Sequence, residues 1–204
     1  MIKLYYSPGA CSLSPHIILH EAGIHFEIEK VNLGTKTTDS GHDFNAINPK
    51  GYVPALIMNN GQLLTEGPAV VQYIADLAPD KKLAPPAGTI ERYRLQEWLN
   101  FISTEIHKGF SPLFNPNASE DSKGAARKLL TRRISFAATA LEDRDYLLGK
   151  TFTVADAYLF TVLRWTHHVG FDLSPWPVLK EYLDRVAVRP AVKAAMKAEG
   201  LAKN

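Results

Sequence analysis

The only cysteine of this 204-residue chain, Cys11, lies where a reactive thiol is expected. It follows a predicted strand over residues 2–6 and a Ser-Pro-Gly-Ala turn, and it precedes a predicted helix over 12–22 that is closed by Gly23. A helix N-terminus favours an anion by about 0.3–1 kcal/mol, and the thiolate is the reactive form of cysteine. This position therefore predicts a functional thiol, with a buried, unreactive cysteine as the structural alternative.

The tetrapeptide that begins at Cys11 is Cys-Ser-Leu-Ser, a Cys-x-x-Ser arrangement. A single thiol cannot close an internal disulfide, but it can form a mixed disulfide with another thiol or hold that thiol by a hydrogen bond. The sequence therefore predicts chemistry on a second, external thiol.

A second group of polar side chains recurs at helical spacing on a helix predicted over residues 89–113. Apolar residues form one broad face of this helix. Asn100, Thr104, His107 and Lys108 lie on the other face, at positions i, i+4, i+7 and i+8. Amide, hydroxyl and imidazole groups suit directed hydrogen bonds, whereas solvated faces are usually dominated by Glu and Lys. The stripe predicts a binding role, with a plain solvated face as the alternative.

Composition excludes several classes of function. The net charge is +2 and no block of like charges occurs, so nucleic-acid binding is not predicted. A single cysteine excludes an intrachain disulfide framework and zinc sites built from several cysteines. No apolar run approaches about 18 residues, and the first residues lack a signal-peptide pattern. We therefore expect a cytoplasmic enzyme that does not bind membranes.

Histidine pairs are the remaining candidates for a metal site. His16 and His20 are four residues apart with Glu21 beside them, and His167 and His168 form a second pair. The glutamate is not placed as in a His-Glu-x-x-His motif, and no third ligand is evident. No metal is predicted.

The elements that position these residues form two domains. Strand, helix and strand over residues 1–33, with the second strand at 26–31, predict a parallel pair. Asn59-Asn60-Gly61 between two short apolar runs predicts a hairpin, and a helix over 67–77 follows. The order β-α-β then β-β-α predicts a thioredoxin-like domain over residues 1–78.

A proline-rich linker over residues 79–88 separates this domain from a second one, over 89–204, in which strand signals vanish. Thr153 and Asp156 match a helix capping box. Helices are predicted at about 89–113, 121–142, 153–168, 176–187 and 190–198. The fold class is therefore α/β plus all-α: a thioredoxin-like domain followed by a helical bundle domain expected to complete the site.

The order and spacing of these motifs resemble those of a glutathione S-transferase. The resemblance rests on the strand and cysteine before a helix, Val53-Pro54, Glu66-Gly67 and the helical second half. The run 5–12, Tyr-Tyr-Ser-Pro-Gly-Ala-Cys-Ser, with Asn100-Phe101 and His107-Lys108, resembles the bacterial beta class in particular. It covers nearly the whole chain.

The resemblance implies that glutathione is the co-substrate and that its thiol is conjugated to small, mostly apolar electrophiles. A cis-proline corner at Val53-Pro54 would present the main chain of Val53 to the cysteinyl part of glutathione. Glu66 would accept from the γ-glutamyl ammonium, and the Gly67 N–H would donate to the adjacent carboxylate. Many relatives carry Ser where this chain has Gly67, so only a backbone contact is expected there. Lys36 would meet the glycyl carboxylate.

The resemblance also assigns catalysis to Cys11, in place of the tyrosine or serine of other classes. His107 would exchange a proton with the glutathione sulfur, and Asn100 would orient the thiol region. Lys108 and His107 would stabilise an anionic sulfur. The expected glutathione contacts are Cys11, Lys36, Val53, Glu66, Gly67, Asn100, Thr104, His107 and Lys108. The expected wall of the acceptor pocket is Phe110, Phe114 and Trp165. A homodimer is implied.

Two alternatives stay open. Cys11 could itself attack a glutathione disulfide, which would make the protein a glutathione-dependent thiol-disulfide oxidoreductase. The chain could also be a non-catalytic binding protein that uses the same fold, because fold does not settle function.

Overall fold

The computed structural model describes residues 1–201, which form two compact units. The first unit contains Met1–Ala84 together with the C-terminal segment that begins at Val188. The second unit is Pro85–Ala187. The α-helices, in chain order, are α1 (Leu13–Ala22), α2 (Phe44–Ile47), α3 (Gly67–Asp76), α4 (Ile90–Phe101), α5 (Ser111–Phe114), α6 (Glu120–Thr139), α7 (Val154–Leu163), α8 (Trp165–His168), α9 (Pro177–Ala187) and α10 (Pro190–Ala198).

A mixed five-stranded sheet forms the centre of the first unit. Its strands are β1 (Ile2–Tyr6), β2 (Phe26–Asn32), β3 (Thr37–Thr38), β4 (Ala55–Ile57) and β5 (Leu63–Thr65). Their order in space is β3-β2-β1-β4-β5, with β1 parallel to β2 and antiparallel to β4. The predicted strand-helix-strand unit and the hairpin at Gly61 are confirmed, whereas the two-residue β3 was not predicted because residues 34–52 carry no strand pattern.

Helix α1 is buried along most of its surface, since α3 and α10 both pack against it. Eight of its ten residues are buried, including the polar His16. The helix ends at Gly23, whose φ of 67° lies in the left-handed region that glycine adopts readily.

An ion pair and a buried hydrogen bond join the two ends of α10 to α1. Arg189, which precedes α10, donates from Nε and Nη2 to the two carboxylate oxygens of Glu21, at 2.6 and 2.9 Å. Glu199, which follows α10, lies 2.9 Å from Nδ1 of His16. The C-terminal helix therefore belongs to the first unit. This differs from the expected division into 1–78, a linker over 79–88 and 89–204, because contacts between distant segments, rather than chain order, place residues from Val188 on.

The second unit is helical and is built around α7, all ten residues of which are buried. Its capping box is confirmed. The carboxylate of Asp156 accepts from the N–H groups of Thr153 and Leu147, each at 2.9 Å, and Tyr182 donates to it at 3.2 Å. Burial nevertheless raises the pKa of Asp156 to about 6.

The helix predicted over 89–113 is interrupted. After α4 the chain forms a π-helical turn at Ile102–His107 and a 3-10 turn at Lys108–Phe110 before α5. Pro112 has no N–H for the carbonyl of Lys108, so a regular α-helix cannot pass through this point. Gly109 also packs closely on Leu130, since an added Cβ would lie 2.9 Å from Leu130 Cδ2. The helix predicted over 153–168 is likewise divided at Arg164 into α7 and α8.

Within residues 1–201, none of the helices is long and apolar enough to cross a membrane.

Candidate functional site

Cys11 lies in a tight turn between β1 and α1, as predicted. Ser12 closes this turn: its Oγ accepts from the N–H of Ser7 at 3.1 Å and donates to the Ser7 carbonyl at 3.3 Å. The N–H of Ala10 donates to the same carbonyl at 3.0 Å. These bonds fix the turn locally and place Cys11 two residues before the first residue of α1.

Cys11 is partly exposed, and its thiol donates to the carbonyl of Val53 at 3.2 Å. The peptide bond between Val53 and Pro54 is cis, so the expected corner is present. The Val53 side chain packs in a core cluster with Tyr5, Phe44 and their neighbours. A rigidly held backbone segment therefore lies directly beside the thiol.

Glu66 and Gly67 form the start of α3. Glu66 has a φ of 67°, which is uncommon for a residue with a side chain. Its carbonyl accepts from the N–H groups of Ala69 and Val70, at 3.0 and 2.9 Å. An added Cβ at Gly67 would meet no atom within 4 Å, so packing does not require glycine there. A carboxylate and a helix N-terminus thus occur at neighbouring residues.

Two partners of Glu66 were not found by sequence reasoning. Its Oε1 accepts from Lys50 Nζ at 2.6 Å and from the Tyr52 hydroxyl at 2.7 Å. Lys50 and Tyr52 are 14 to 16 residues away from Glu66 along the chain, and nothing in their local pattern marks them. Tyr52 does precede Val53-Pro54, and that position is the one signal that could have pointed to it.

Lys36 lies beside the segment that leads to the corner. Its ammonium donates to the carbonyl of Gly51 at 2.7 Å, two residues before Val53. The structure therefore brings together five of the predicted glutathione-binding residues in the first unit, each on a turn or helix start: Cys11, Lys36, Val53, Glu66 and Gly67.

This arrangement suits a short peptide that carries a thiol, an ammonium and carboxylates. A main-chain edge at Val53 can pair with an extended peptide, Cys11 can meet its thiol, and Glu66 can accept from its ammonium. The N-terminus of α3 can receive a carboxylate.

In the second unit, His107 ends the π-helical turn and points into the helical core. Its Nδ1 lies 2.6 Å from the Tyr158 hydroxyl, and its ring packs edge-on against Trp165 at 4.8 Å between centroids. Burial, followed by the charge of Lys108, lowers the pKa of His107 to about 4. His107 is therefore neutral near pH 7. Burial disfavours a positive charge on His107, so it would stabilise an anionic sulfur through a hydrogen bond of the neutral ring. That role and its role in proton exchange stay predictions.

The other residues of the predicted stripe are exposed on three different segments. Asn100 lies in the last turn of α4, Thr104 in the π-helical turn and Lys108 in the 3-10 turn. Thr104 Oγ1 donates to the carbonyl of Asn100 at 3.0 Å. Their exposed polar groups leave a binding role open.

The three aromatic residues predicted to form the pocket wall do cluster. Trp165 packs edge-on against Phe110 and Phe114, with centroids 5.7 and 5.5 Å apart. Phe110 has no exposed surface, so it packs beneath the other two rings and does not line a pocket. Phe114 is 48% exposed and Trp165 is 8% exposed, which leaves these two as candidates for the wall.

Among residues 1–201, no group of three or more His, Cys, Asp or Glu side chains is placed to hold a metal ion. His16 and His20 stack on each other with centroids 5.2 Å apart. Both rings pack among the helices of the first unit.

Comparison with known proteins identifies both units. Residues 9–77 match the family model of the glutathione S-transferase N-terminal domain, and residues 101–190 match that of the C-terminal domain. The chain is 48% identical to the glutathione S-transferase GstA of Escherichia coli O157:H7 over 200 residues, which cover 98% of this chain and all of GstA.

Solved structures agree with this match. A beta-class glutathione S-transferase of Sphingomonas chungbukensis is 49% identical with a TM-score of 0.95. A sphingomonad glutathione S-transferase in complex with glutathione is 48% identical, also with a TM-score of 0.95. Both alignments cover 98% of this chain and the whole of the other. The expected fold and the resemblance to the beta class are confirmed.

The neutrality of His107 gives a testable prediction. Because its folded-state pKa of about 4 lies below the ordinary 6.5, the unfolded chain binds more protons between these values, and the contribution of His107 to stability rises with pH over that window. Nitrogen-detected NMR titration should show His107 titrating near pH 4. In Tyr158→Phe the value should stay low, because burial is the main cause. A titration near pH 6.5 in the parent protein would contradict the buried, neutral imidazole.

Proposed function

Because the chain belongs to the glutathione S-transferase family and is a glutathione transferase, we propose which of its residues bind glutathione and activate its thiol. The observation that carries this proposal is the hydrogen bond between the Cys11 thiol and the Val53 carbonyl. It places a sulfur beside the backbone edge with which the cysteinyl part of glutathione would pair, so the two sulfurs would meet there.

We propose that the γ-glutamyl end binds at Glu66 and Gly67. The glutathione ammonium would donate to the Glu66 carboxylate, whose Oε1 is already shared by Lys50 and Tyr52. The γ-glutamyl carboxylate would accept from the Gly67 N–H at the start of α3. Lys36 is proposed to attract the glycyl carboxylate, with a modest effect because exposed ion pairs contribute about 0–1 kcal/mol.

Conjugation then proceeds by nucleophilic attack. The glutathione thiol loses its proton, the thiolate attacks an electrophilic carbon, a sulfur–carbon bond forms, and the leaving group departs with the bonding electron pair. When glutathione binds, the Cys11 thiol would turn its single proton from the Val53 carbonyl to the glutathione sulfur, and this hydrogen bond favours the thiolate. Neutral His107 is proposed to donate a hydrogen bond to the glutathione sulfur through the ring nitrogen that does not contact Tyr158, and the thiol proton passes to water.

Asn100, Thr104 and Lys108 are proposed glutathione contacts of the helical unit, supported by their exposure and by the resemblance to the beta class. Phe114 and Trp165 are proposed to contact the apolar electrophile. Detoxification of electrophiles is the proposed role. The proposed compartment is the cytoplasm, because a reactive thiol needs a reducing environment.

Thiol transfer is the second candidate activity, and the partial exposure of Cys11 favours it. The Cys11 thiolate would attack a glutathionylated disulfide, form a mixed disulfide with glutathione and release the other thiol. A second glutathione thiolate would then attack this bond, which yields oxidised glutathione and restores Cys11.

We propose that the protein is a homodimer. An aromatic cluster on the second unit supports this: Phe136 is 57% exposed and packs against Trp98 and Phe101, with centroids 5.7 and 5.1 Å apart. Large exposed aromatic patches commonly mark protein–protein contacts. A second copy of this chain would cover the cluster.

The choice between conjugation and thiol transfer can be tested by intact mass and product analysis. Wild type and Cys11→Ala are incubated with glutathione and an activated aromatic halide. We expect both proteins to form the conjugate, the variant about tenfold more slowly, because one charge-assisted hydrogen bond to the thiolate is lost. Conjugate absent from both samples, with a glutathione adduct on wild type alone after a parallel incubation with oxidised glutathione, would favour thiol transfer instead.

The dimer proposal can be tested by sedimentation. The parent chain should sediment at roughly twice its monomer mass of 22.6 kDa, and Phe136→Glu should shift it toward the monomer, because a charge in an apolar contact is costly. Val188→Glu, at an exposed position of the first unit, serves as the control and should leave the mass unchanged. A monomeric parent protein would contradict the proposal.

A further inference from the structure

A buried carboxylate from the C-terminal segment reaches the loop that carries Cys11. The side chain of Glu199, which follows α10, has no exposed surface. Its Oε1 accepts from His16 Nδ1 and its Oε2 accepts from the N–H of Gly9, each at 2.9 Å. Buried charge is retained in proteins where it is paired and hydrogen-bonded, and both oxygens of this carboxylate have such partners.

Gly9 lies two residues before Cys11 and has a φ of 72°, in the left-handed region. The turn over residues 7–12 has no regular secondary structure, and Ser12 closes it through hydrogen bonds within the turn. Glu199, which is 190 residues further along the chain, also restrains it by accepting from the Gly9 N–H. The Leu201 side chain also packs here, since an added Cβ at Gly9 would lie 3.5 Å from Leu201 Cδ2. The C-terminal segment therefore contacts the turn through both a polar and an apolar group.

Attachment of α10 to the first unit has a separate source. The bidentate pair between Arg189 and Glu21 joins the start of α10 to the end of α1. The carboxylate of Glu199 differs from this pair because one of its two oxygens is directed at the backbone next to the reactive cysteine. The Arg189–Glu21 pair therefore attaches α10 to α1, whereas Glu199 also restrains the turn that carries Cys11.

We propose that Glu199 is a positioning residue for Cys11. By fixing Gly9 against α1, it holds the turn in the shape that places the Cys11 thiol at the Val53 carbonyl. The inference rests on the proposed function in one respect: the placement of Cys11 affects catalysis only if Cys11 assists glutathione.

Three variants separate this role from a general effect on stability. Glu199→Ala removes the acceptor of the Gly9 N–H. Glu199→Gln can keep both contacts, since its amide oxygen accepts from Gly9 and its amide nitrogen donates to Nδ1 of His16 in the other imidazole tautomer. Arg189→Gln removes the bidentate pair with Glu21 and keeps the Glu199 acceptor of the Gly9 N–H.

The first readout is the rate at which iodoacetamide alkylates Cys11 in the folded protein, followed by intact mass. In Glu199→Ala the loosened turn should expose the thiol, and alkylation should accelerate about tenfold, the factor expected for loss of one charge-assisted hydrogen bond. Glu199→Gln should restore the rate to within about threefold of the parent, and Arg189→Gln should not change it although its melting temperature falls. Equal rates in Glu199→Ala and Arg189→Gln would overturn the proposal.

The second readout is hydrogen exchange at the Gly9 amide in the unaltered protein, which does not depend on any variant folding. The Glu199 contact should protect this amide at least about tenfold relative to an exposed loop amide. Exchange at the unprotected rate would overturn the proposal.

Steady-state kinetics distinguish failure of the positioning role of Glu199 from failure of the proposed function. We expect kcat for conjugation to fall in Glu199→Ala with a smaller change in the KM for glutathione, because the displaced Cys11 no longer stabilises the glutathione thiolate while the binding edge at Val53 is kept. If Cys11→Ala conjugates as fast as wild type, the catalytic role of Cys11 fails, but the alkylation and exchange results still decide whether Glu199 positions it.

Discussion

The hydrogen bond from the Cys11 thiol to the Val53 carbonyl joins two segments 42 residues apart, and the sheet explains why they meet. Strands β1 and β4 are antiparallel, with Tyr5 opposite Ala55. The segment that follows the C-terminal end of β1 and the segment that precedes the N-terminal end of β4 therefore lie side by side, at the same end of these two strands. A thiol just after β1 and a backbone corner just before β4 become neighbours through this pairing alone.

The remaining structure of the first unit holds these two segments in place. Burial of Val53 in the core and the bonds of Ser12 across its turn restrict each segment locally. Helix α1 adds a more demanding constraint, because it buries His16 against the carboxylate of Glu199. Such a polar pair is stable in the interior only with its partners in position, so the pair gives α10 a defined register on α1. The same carboxylate reaches Gly9, which couples this packing to the geometry around Cys11.

The sequence predicted those elements whose signals are local. Gly23 ends α1, Gly61 turns the hairpin and Thr153 caps α7, because each requirement is met within a few residues. The candidate residues of the first unit were taken from the order of motifs that resembles the family, and their binding roles stay a prediction. Contacts between distant segments were not predictable in this way. Neither the assignment of α10 to the first unit nor the partners Lys50 and Tyr52 of Glu66 leave a local pattern. The charge state of His107 and the burial of Phe110 depend on how the second unit packs.

The central claim is that glutathione binds along the edge formed by Cys11, Val53 and the start of α3. Titration of labelled protein with glutathione, followed by amide NMR shifts, tests it most directly. We predict saturable shifts that are largest in the first unit at the amides of Cys11, Val53 and Gly67. Saturable binding with shifts confined to other parts of that unit, and none at Val53 and Gly67, would contradict the claim.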